Sequence, residues 1–263
     1  MNAIILCAGF GTRMYPLTKN FPKPLLDVAG RPVIAYMLDQ IKGFRGIKEV
    51  HIVANDRFFH NFVEWRDRFD YPLPIQLHND GVQDNETRLG SIGDLAFVVD
   101  QIELPEGAFV VAGDNIARFP LRPAWDAFTV TGQNIIISLP QPDLAKRRKT
   151  GILEFQAEKS SYMQASGREI ELVVGFHEKP ADPPSIWTAP AIYCLNREAL
   201  AQAPAFYAQN PQLDAIGNFI AHLVDQRKIY AYRVRNGQRF DIGSMDDYHT
   251  AQRVLEAEPA ILG

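Results

Sequence analysis

A chain of 263 residues, 46% hydrophobic and 22% charged, can bury a substantial core as one large domain or a domain with a lobe. Its formal net charge of -4 argues against a nucleic-acid partner, because a polyanion demands clustered Lys and Arg to neutralise its phosphates. No apolar run approaches the roughly twenty residues that span a bilayer, no basic leader precedes the first strand, and Cys7 and Cys194 both fall in predicted strands. The expectation is a cytoplasmic protein with no membrane contact and no disulfide framework.

In chain order, the run Ala3–Cys7 is short, apolar at nearly every position and bounded by a glycine turn, as a central strand of a parallel sheet would be. Its carboxyl end is then the ligand end. Gly9 and Gly11 leave room for phosphate oxygens to meet backbone N–H groups. Arg13 offers a planar fork and Lys23, held between Pro22 and Pro24, a point charge on a stiffened loop. A glycine pair after a strand also suits a plain strand-to-helix turn. The third glycine of the dinucleotide fingerprint is absent from Gly9-Phe10-Gly11-Thr12-Arg13, and so is the Gly-Lys-Ser/Thr ending of a P-loop.

Further strands are predicted at Val50–Ala54, Ile75–Leu77 and Phe109–Ala112, separated by helices at Val33–Lys42, Phe58–Phe69 and Leu95–Asp100. This alternation predicts an α/β fold with a doubly wound, mostly parallel, Rossmann-like sheet. Asp114, after the strand Phe109–Ala112, should reach the same edge as the glycine loop. From Ile135 onward extended segments dominate: Gly151–Phe155, a Ser166-Gly167 turn, Glu169–Phe176 and Ala189–Leu195. Helical periodicity returns at Asp214–Gln226 and Met245–Glu256, beside strands Ile229–Val234 and Phe240–Ile242. Residues 1–263 are expected to form one domain, with 1–130 and 131–263 as its two parts. Asp114 and Asp241 would each also serve as a turn or helix cap. The six histidines show no metal-ligand spacing.

With Pro16-Leu17-Thr18 and Phe21-Pro22-Lys23-Pro24-Leu25-Leu26 added, the first loop resembles, residue by residue, the G-x-G-T-R-x-x-P-x-T-x-x-x-P-K-P-L-L signature of the sugar-phosphate nucleotidyltransferases. These are also called nucleoside-diphosphate-sugar pyrophosphorylases and include the glucose-1-phosphate thymidylyltransferases. Glu178-Lys179-Pro180 resembles the family's E-K-P element. Phe240-Asp241-Ile242-Gly243-Ser244 resembles W-x-D-x-G-T with Phe for Trp and Ser for Thr, and Gly151 matches a glycine that lets a sugar hydroxyl meet main chain. Ala189-Pro190-Ala191-Ile192-Tyr193 aligns with A-x-T-G-x-Y, Pro190 and Ala191 replacing Thr-Gly. The matches run in the family's order through nearly the whole chain.

The resemblance implies transfer of a nucleotidyl group from a nucleoside triphosphate to a hexose 1-phosphate. It places nucleotide contacts at Leu6, Ala8, Gly9, Gly11, Thr12, Arg13, Leu89 and Gly90, and catalytic cations at Arg13 and Lys23. Sugar-phosphate contacts fall on Lys23, Gly151, Glu178, Lys179 and Ala189, and Mg2+ on Asp114 and Asp241. Residues 1–130 become mainly the nucleotide-binding part, and 131–263 the sugar-phosphate lobe with its closing helices. Family members often form dimers or tetramers, and no stretch here marks an interface. Arg88-Leu89-Gly90-Ser91-Ile92-Gly93-Asp94-Leu95 stands where thymidylyltransferases read G-L-A-Q-A, and lies closer to the L-G-T-A-G-A-L version. The missing glutamine leaves dTTP, CTP, UTP and GTP open. Two rivals remain: a cytidylyltransferase acting on phosphocholine or a phosphonate, and a silent nucleotide-sugar-binding regulator. The presence of Arg13, Lys23, Asp114 and Asp241 together speaks against the second.

Overall fold

The computed structural model describes residues 1–104, 106–156, 162–165 and 167–258. Its first part comprises β1 (Asn2–Leu6), β2 (Asp27–Val28), β3 (Arg31–Pro32), α1 (Val33–Ile41), β4 (Val50–Ala54), α2 (Phe59–Arg68), β5 (Ile75–Asn79), α3 (Gly90–Val99), β6 (Gly107–Ala112) and β7 (Asn115–Arg118). There follow α4 (Arg122–Thr131), β8 (Asn134–Pro140), α5 (Leu144–Arg147), β9 (Gly151–Phe155), β10 (Tyr162–Ala165), β11 (Arg168–Glu178), β12 (Trp187–Ala189) and β13 (Ile192–Asn196). The last elements are α6 (Arg197–Leu200), α7 (Ala203–Gln209), α8 (Ile216–Gln226), β14 (Ile229–Arg233), β15 (Gln238–Asp241) and α9 (Met245–Ala257).

Strands β6, β1, β4 and β5 lie side by side in parallel, with Ile4 opposite both His51 and Val110. Every residue of β1 and β4 is buried, which is why both run apolar with little alternation. Their alternate side chains enter two cores. Ala3, Ile5 and Cys7 join Ile34 and Met37 of α1, Phe62 of α2 and Trp125 of α4 on one face. Ile4, Leu6 and Ala8 join Ile92 and Leu95 of α3 and Phe219 of α8 on the other. The sheet is thereby doubly wound, with all four parallel carboxyl ends on one edge.

Beyond β6 the same sheet continues with a change of direction. β13 is antiparallel to both β6 and β8, and β12, β9, β11 and β10 extend the antiparallel part. β14 pairs with β8 in parallel and with β11 antiparallel, completing eleven strands. The parallel pattern therefore belongs to the first half, and the β-rich lobe is the second half of one mixed sheet. A separate two-stranded ladder joins β7 to β15, and α9 packs beside it.

Three segments depart from the sequence reading for physical reasons. α3 begins at Gly90, five positions before the expected Leu95, because Gly90 and Gly93 are set by close neighbours. A Cβ on Gly90 would lie 2.5 Å from the Asp214 carbonyl oxygen, and one on Gly93 2.8 Å from the Tyr207 ring. The stretch Ala189–Leu195 is two strands, broken at Pro190-Ala191 where Ala191 has φ +54°. α4 was not foreseen: its last turn, Thr129-Val130-Thr131, is poor in helix formers, yet Trp125 and Phe128 anchor it in the core and Gly132 at φ +64° ends it. Of the predicted Ser166-Gly167 turn, Ser166 lies outside the described residues and Gly167 is in a turn. No described helix is long and apolar enough to cross a membrane.

Candidate active site

The carboxyl edge of the parallel strands opens into a cavity of about 400 Å³. Leu6, Ala8, Gly9, Arg13, Lys23, Leu89, Gly90, Asp114 and Lys179, all proposed from sequence, line it. Gly9 faces open space: a Cβ there would meet nothing within 4 Å. Gly11, at φ +63°, turns the chain into a short 3-10 segment, Thr12–Met14, and its carbonyl accepts a 2.7 Å hydrogen bond from Thr18 Oγ1. Phe10 is buried against Phe58, so it belongs to the core. Arg13 is exposed and, among the described residues, forms no ion pair with an acid.

Lys23 opens a second 3-10 turn, Lys23–Leu25, after Pro22. Its Nζ donates to Asp114 Oδ2 at 2.5 Å, with only 12% of the lysine side chain and 25% of the aspartate's exposed. Asp114 reaches it from the end of β6 because Gly113 allows the chain to pass Cys7: a Cβ on Gly113 would stand 2.3 Å from Cys7 Sγ. Burial pushes the Asp114 carboxyl up, and the Lys23 ammonium, by charge and hydrogen bond, with Arg239 behind it, outweighs that and holds it below the usual carboxylate range.

Asp241 arrives on the β7–β15 ladder, opposite Asn115, and the Ile242 N–H donates to the Asp114 carbonyl. Sequence-distant carboxylates thus become neighbours. Burial raises Asp241, and the Asp114 charge raises it further against the pull of Arg239 and Lys23. With 52% of its side chain exposed, solvent damps that push. Asp241 is no helix cap: Ser244 caps α9, its Oγ accepting from the Asp247 N–H. Arg239 holds the arrangement together, donating from Nε to Asn115 Oδ1 at 2.6 Å and from Nη2 to Asp241 Oδ2 at 2.8 Å. Sequence reading missed Arg239. Two neighbouring carboxylates that repel each other, Asp114 lining the cavity and Asp241 beside Asp114 though not itself in the lining, suit a hard divalent cation that takes its other ligands from phosphate and water. Among the described residues no group of three or more His, Cys, Asp or Glu comes together.

On the sugar side, Gly151 on β9 pairs with both Glu178 and Ala189. A Cβ on Gly151 would come 2.4 Å from the Phe176 ring, and one on Gly217 would come 1.9 Å from Glu178 Oε2. These glycines make room for the Glu178 carboxyl, and Gly217, in the first turn of α8, carried no sequence signal. Burial pushes Glu178 up, and Lys179 works against it from 3.3 Å. Lys179 sits at φ +47° with its side chain 53% exposed at the cavity. Opposite, Arg88 pairs with Asp214 at 3.0 Å, while Ser91 Oγ donates to the Asp214 carbonyl and accepts from the Ile216 N–H. Gly11, Thr12, Gly151, Glu178, Ala189 and Asp241, also proposed from sequence, are not among the lining residues; Gly151, Glu178 and Ala189 lie on the paired strands β9, β11 and β12, and Lys179 follows β11.

Residues 2–258 match the family model described as nucleotidyl transferase. The chain belongs to that family. It is 27% identical over 256 residues to a probable mannose-1-phosphate guanylyltransferase 2 of Arabidopsis thaliana, covering 97% of this chain and 65% of that protein. It is 35% identical over 126 residues to mannose-1-phosphate guanylyltransferase 1 of the same plant, covering 46% of this chain and 33% of the relative. The chain thus spans less than two thirds of these curated relatives. A putative glucose-1-phosphate thymidylyltransferase from Bacillus anthracis, solved with sucrose, superposes with TM-score 0.80 at 21% identity, covering 97% of this chain and 95% of the other. A UDP-glucose pyrophosphorylase complexed with UDP-glucose gives 0.78 at 18% identity, covering 98% and 99%. At such identities these two establish the shared fold.

Proposed function

We propose that this chain is a sugar-1-phosphate nucleotidyltransferase, joining a nucleoside triphosphate and a hexose 1-phosphate into a nucleoside-diphosphate sugar with release of pyrophosphate. One observation carries the reading: Lys23 and Asp114, 91 residues apart, meet at 2.5 Å on a cavity also lined by Gly9, Arg13 and Lys179. The relatives' names, mannose-1-phosphate guanylyltransferase among them, agree with it. Two buried, unbridged cysteines agree with a cytoplasmic enzyme.

In this reaction a phosphate oxygen of the sugar 1-phosphate attacks the α-phosphorus, the bond to the β-phosphate oxygen breaks, and pyrophosphate departs from the opposite side. The nucleophile is already an anion, so no general base is needed. Bringing several negative groups together is the obstacle, and positioning with fixed positive charge lowers it. The open backbone at Gly9 admits the phosphates, and Arg13, with no acidic ion-pair partner among the described residues, receives the departing pair. Lys23 sits where it can follow the transferring phosphoryl group. Lys179 neutralises the incoming sugar phosphate, and the resemblance of Glu178-Lys179-Pro180 to the family's E-K-P element favours a sugar phosphate over phosphocholine as acceptor. Asp114 and Asp241 would hold Mg2+, which when bound neutralises charge on the triphosphate oxygens.

The deciding assay follows pyrophosphate release from a panel of triphosphates offered with glucose-, mannose- and N-acetylhexosamine 1-phosphates and with phosphocholine. Metal-dependent release with at least one sugar phosphate is expected. Release only with phosphocholine, or none with any pair, overturns the reading.

A further inference from the structure

The cavity has two chemically different ends. Asp114 follows β6 and Asp80 follows β5, and the sheet order β6, β1, β4, β5 sets them three strand spacings apart, roughly 14 Å. The cations Arg13 and Lys23 gather with Asp114. Of the other lining carboxyls, Asp214 is paired with Arg88, while Asp80 after β5 and Asp94 on α3, which packs on β1 and β4, have no cation paired to them among the described residues. A nucleoside triphosphate spans such a distance, and its phosphates cannot settle against two acids. Its base falls there instead.

Asp94 has no evident structural use. It stands in the middle of α3, between Gly93 and Leu95, 5% exposed and lining the cavity, with Oδ1 lacking any hydrogen-bond partner among the described residues. Burying an unsatisfied carboxyl costs free energy with nothing returned, and an alanine would suit the helix better. Asp80 is tethered through its own Oδ1, which accepts the Val82 N–H at 2.7 Å. Burial, then the Asp80 charge, push Asp94 well above the carboxylate range, while burial lifts Asp80 to about 6. Whatever protons they hold, two carboxyls together offer more acceptors than donors.

Base edges differ in what they can return. Guanine presents two adjacent N–H donor groups, N1–H and the 2-amino group, beside the O6 acceptor. Uracil and thymine present one N–H between two oxygens, so an oxygen would face an oxygen. Cytosine and adenine fall between, each with one amino group beside an acceptor nitrogen.

We propose that Asp94, with Asp80 beside it, reads the N–H donor edge of the nucleobase and selects guanine, so that GTP is the preferred triphosphate. This rests on the cavity being the triphosphate site of the transferase reading. The test is calorimetric binding of GTP, CTP, ATP, UTP and dTTP without sugar phosphate, so the base is read even where no transfer occurs. Wild type is expected to bind GTP at least about tenfold more tightly than UTP or dTTP, and Asp94→Leu to lose most of that ratio. Asp94→Asn, which keeps one donor and one acceptor, should retain more of the ratio than the leucine variant. Asp94→Ala gives the same reading if the leucine does not fold. Preference of the wild type for UTP or dTTP, or an undiminished GTP preference in both apolar variants, overturns the proposal. GTP preference in binding without turnover of any sugar phosphate would leave it standing and remove only the transferase reading. Absence of binding by all five would remove both.

Discussion

Asp114 and Asp94 line one cavity, and the fold treats them in opposite ways. Burial pushes both carboxyls up, so burial cannot be what separates them. Asp114 has the Lys23 ammonium at 2.5 Å with Arg239 behind it, and falls below the usual carboxylate range. Asp94 has an Oδ1 unpartnered among the described residues and the Asp80 charge acting on it, and rises. A buried acid is thus set as anion or as acid by the sign of the neighbour that the chain brings to it. In the proposed reaction each setting has a use: an anion beside the phosphates to hold a cation, an unpartnered oxygen beside the base to read an edge.

Removing the neighbour is the strongest way to break this contrast. Lys23→Ala takes from Asp114 the charge that keeps it low, and takes a fixed donor from the transferring phosphoryl group. Initial rates of pyrophosphate release are expected to fall by roughly two to three orders of magnitude. Arg13→Ala should cost a similar factor, although among the described residues Arg13 has no acidic partner to release. A Lys23→Ala enzyme within about threefold of wild type would take Lys23 out of the mechanism.

A milder change tests whether the low side of the contrast serves a cation. Asp241→Asn leaves the β7–β15 ladder able to form and keeps a neutral partner for Arg239, while removing the second negative charge beside Asp114. The Mg2+ concentration giving half-maximal rate should rise by about tenfold or more, with the saturating rate less affected. An unchanged Mg2+ titration would separate Asp241 from the metal.

How far the sequence reveals such contrasts depends on where their signals lie. Val50–Ala54 and Gly151–Phe155 were read with the bounds the structure has, because a short apolar run between turns needs no outside information. Arg13, Lys23 and Asp114 were legible from motif order, and the fold brings them to one cavity. Arg239 was not, since its role comes from lying across a ladder from Asn115, a pairing 124 residues distant. Gly90, Gly93 and Gly217 looked like weak helix positions when each is fitted to a side chain or carbonyl from another element. Asp94 did leave a trace: a single acid within the otherwise apolar stretch Ile92–Val99 is a residue the helix itself does not need.

The smallest expected effect sharpens the high side of the contrast. Burial raises Asp80 to about 6, against 3.8 for an unperturbed aspartate. An acid whose pKa is higher in the folded state binds more protons folded than unfolded between those two values, so stability falls as pH rises through that window and the full penalty applies above about 6. Asp80→Asn removes the charge and keeps an oxygen to accept the Val82 N–H. At pH 8 the variant should be more stable by about 1–2 kcal/mol after allowance for solvent screening, raising Tm by roughly 2–6 °C. Near pH 4 the gap should be much smaller, because Asp80 is then protonated in the folded state and nearly half protonated in the unfolded one. The same variant withdraws the charge pressing on Asp94, which should then ionise more readily. Thermal melts of both proteins at pH 4 and pH 8 check this, and an equal gap at the two pH values would show that burial leaves Asp80 an ordinary carboxylate.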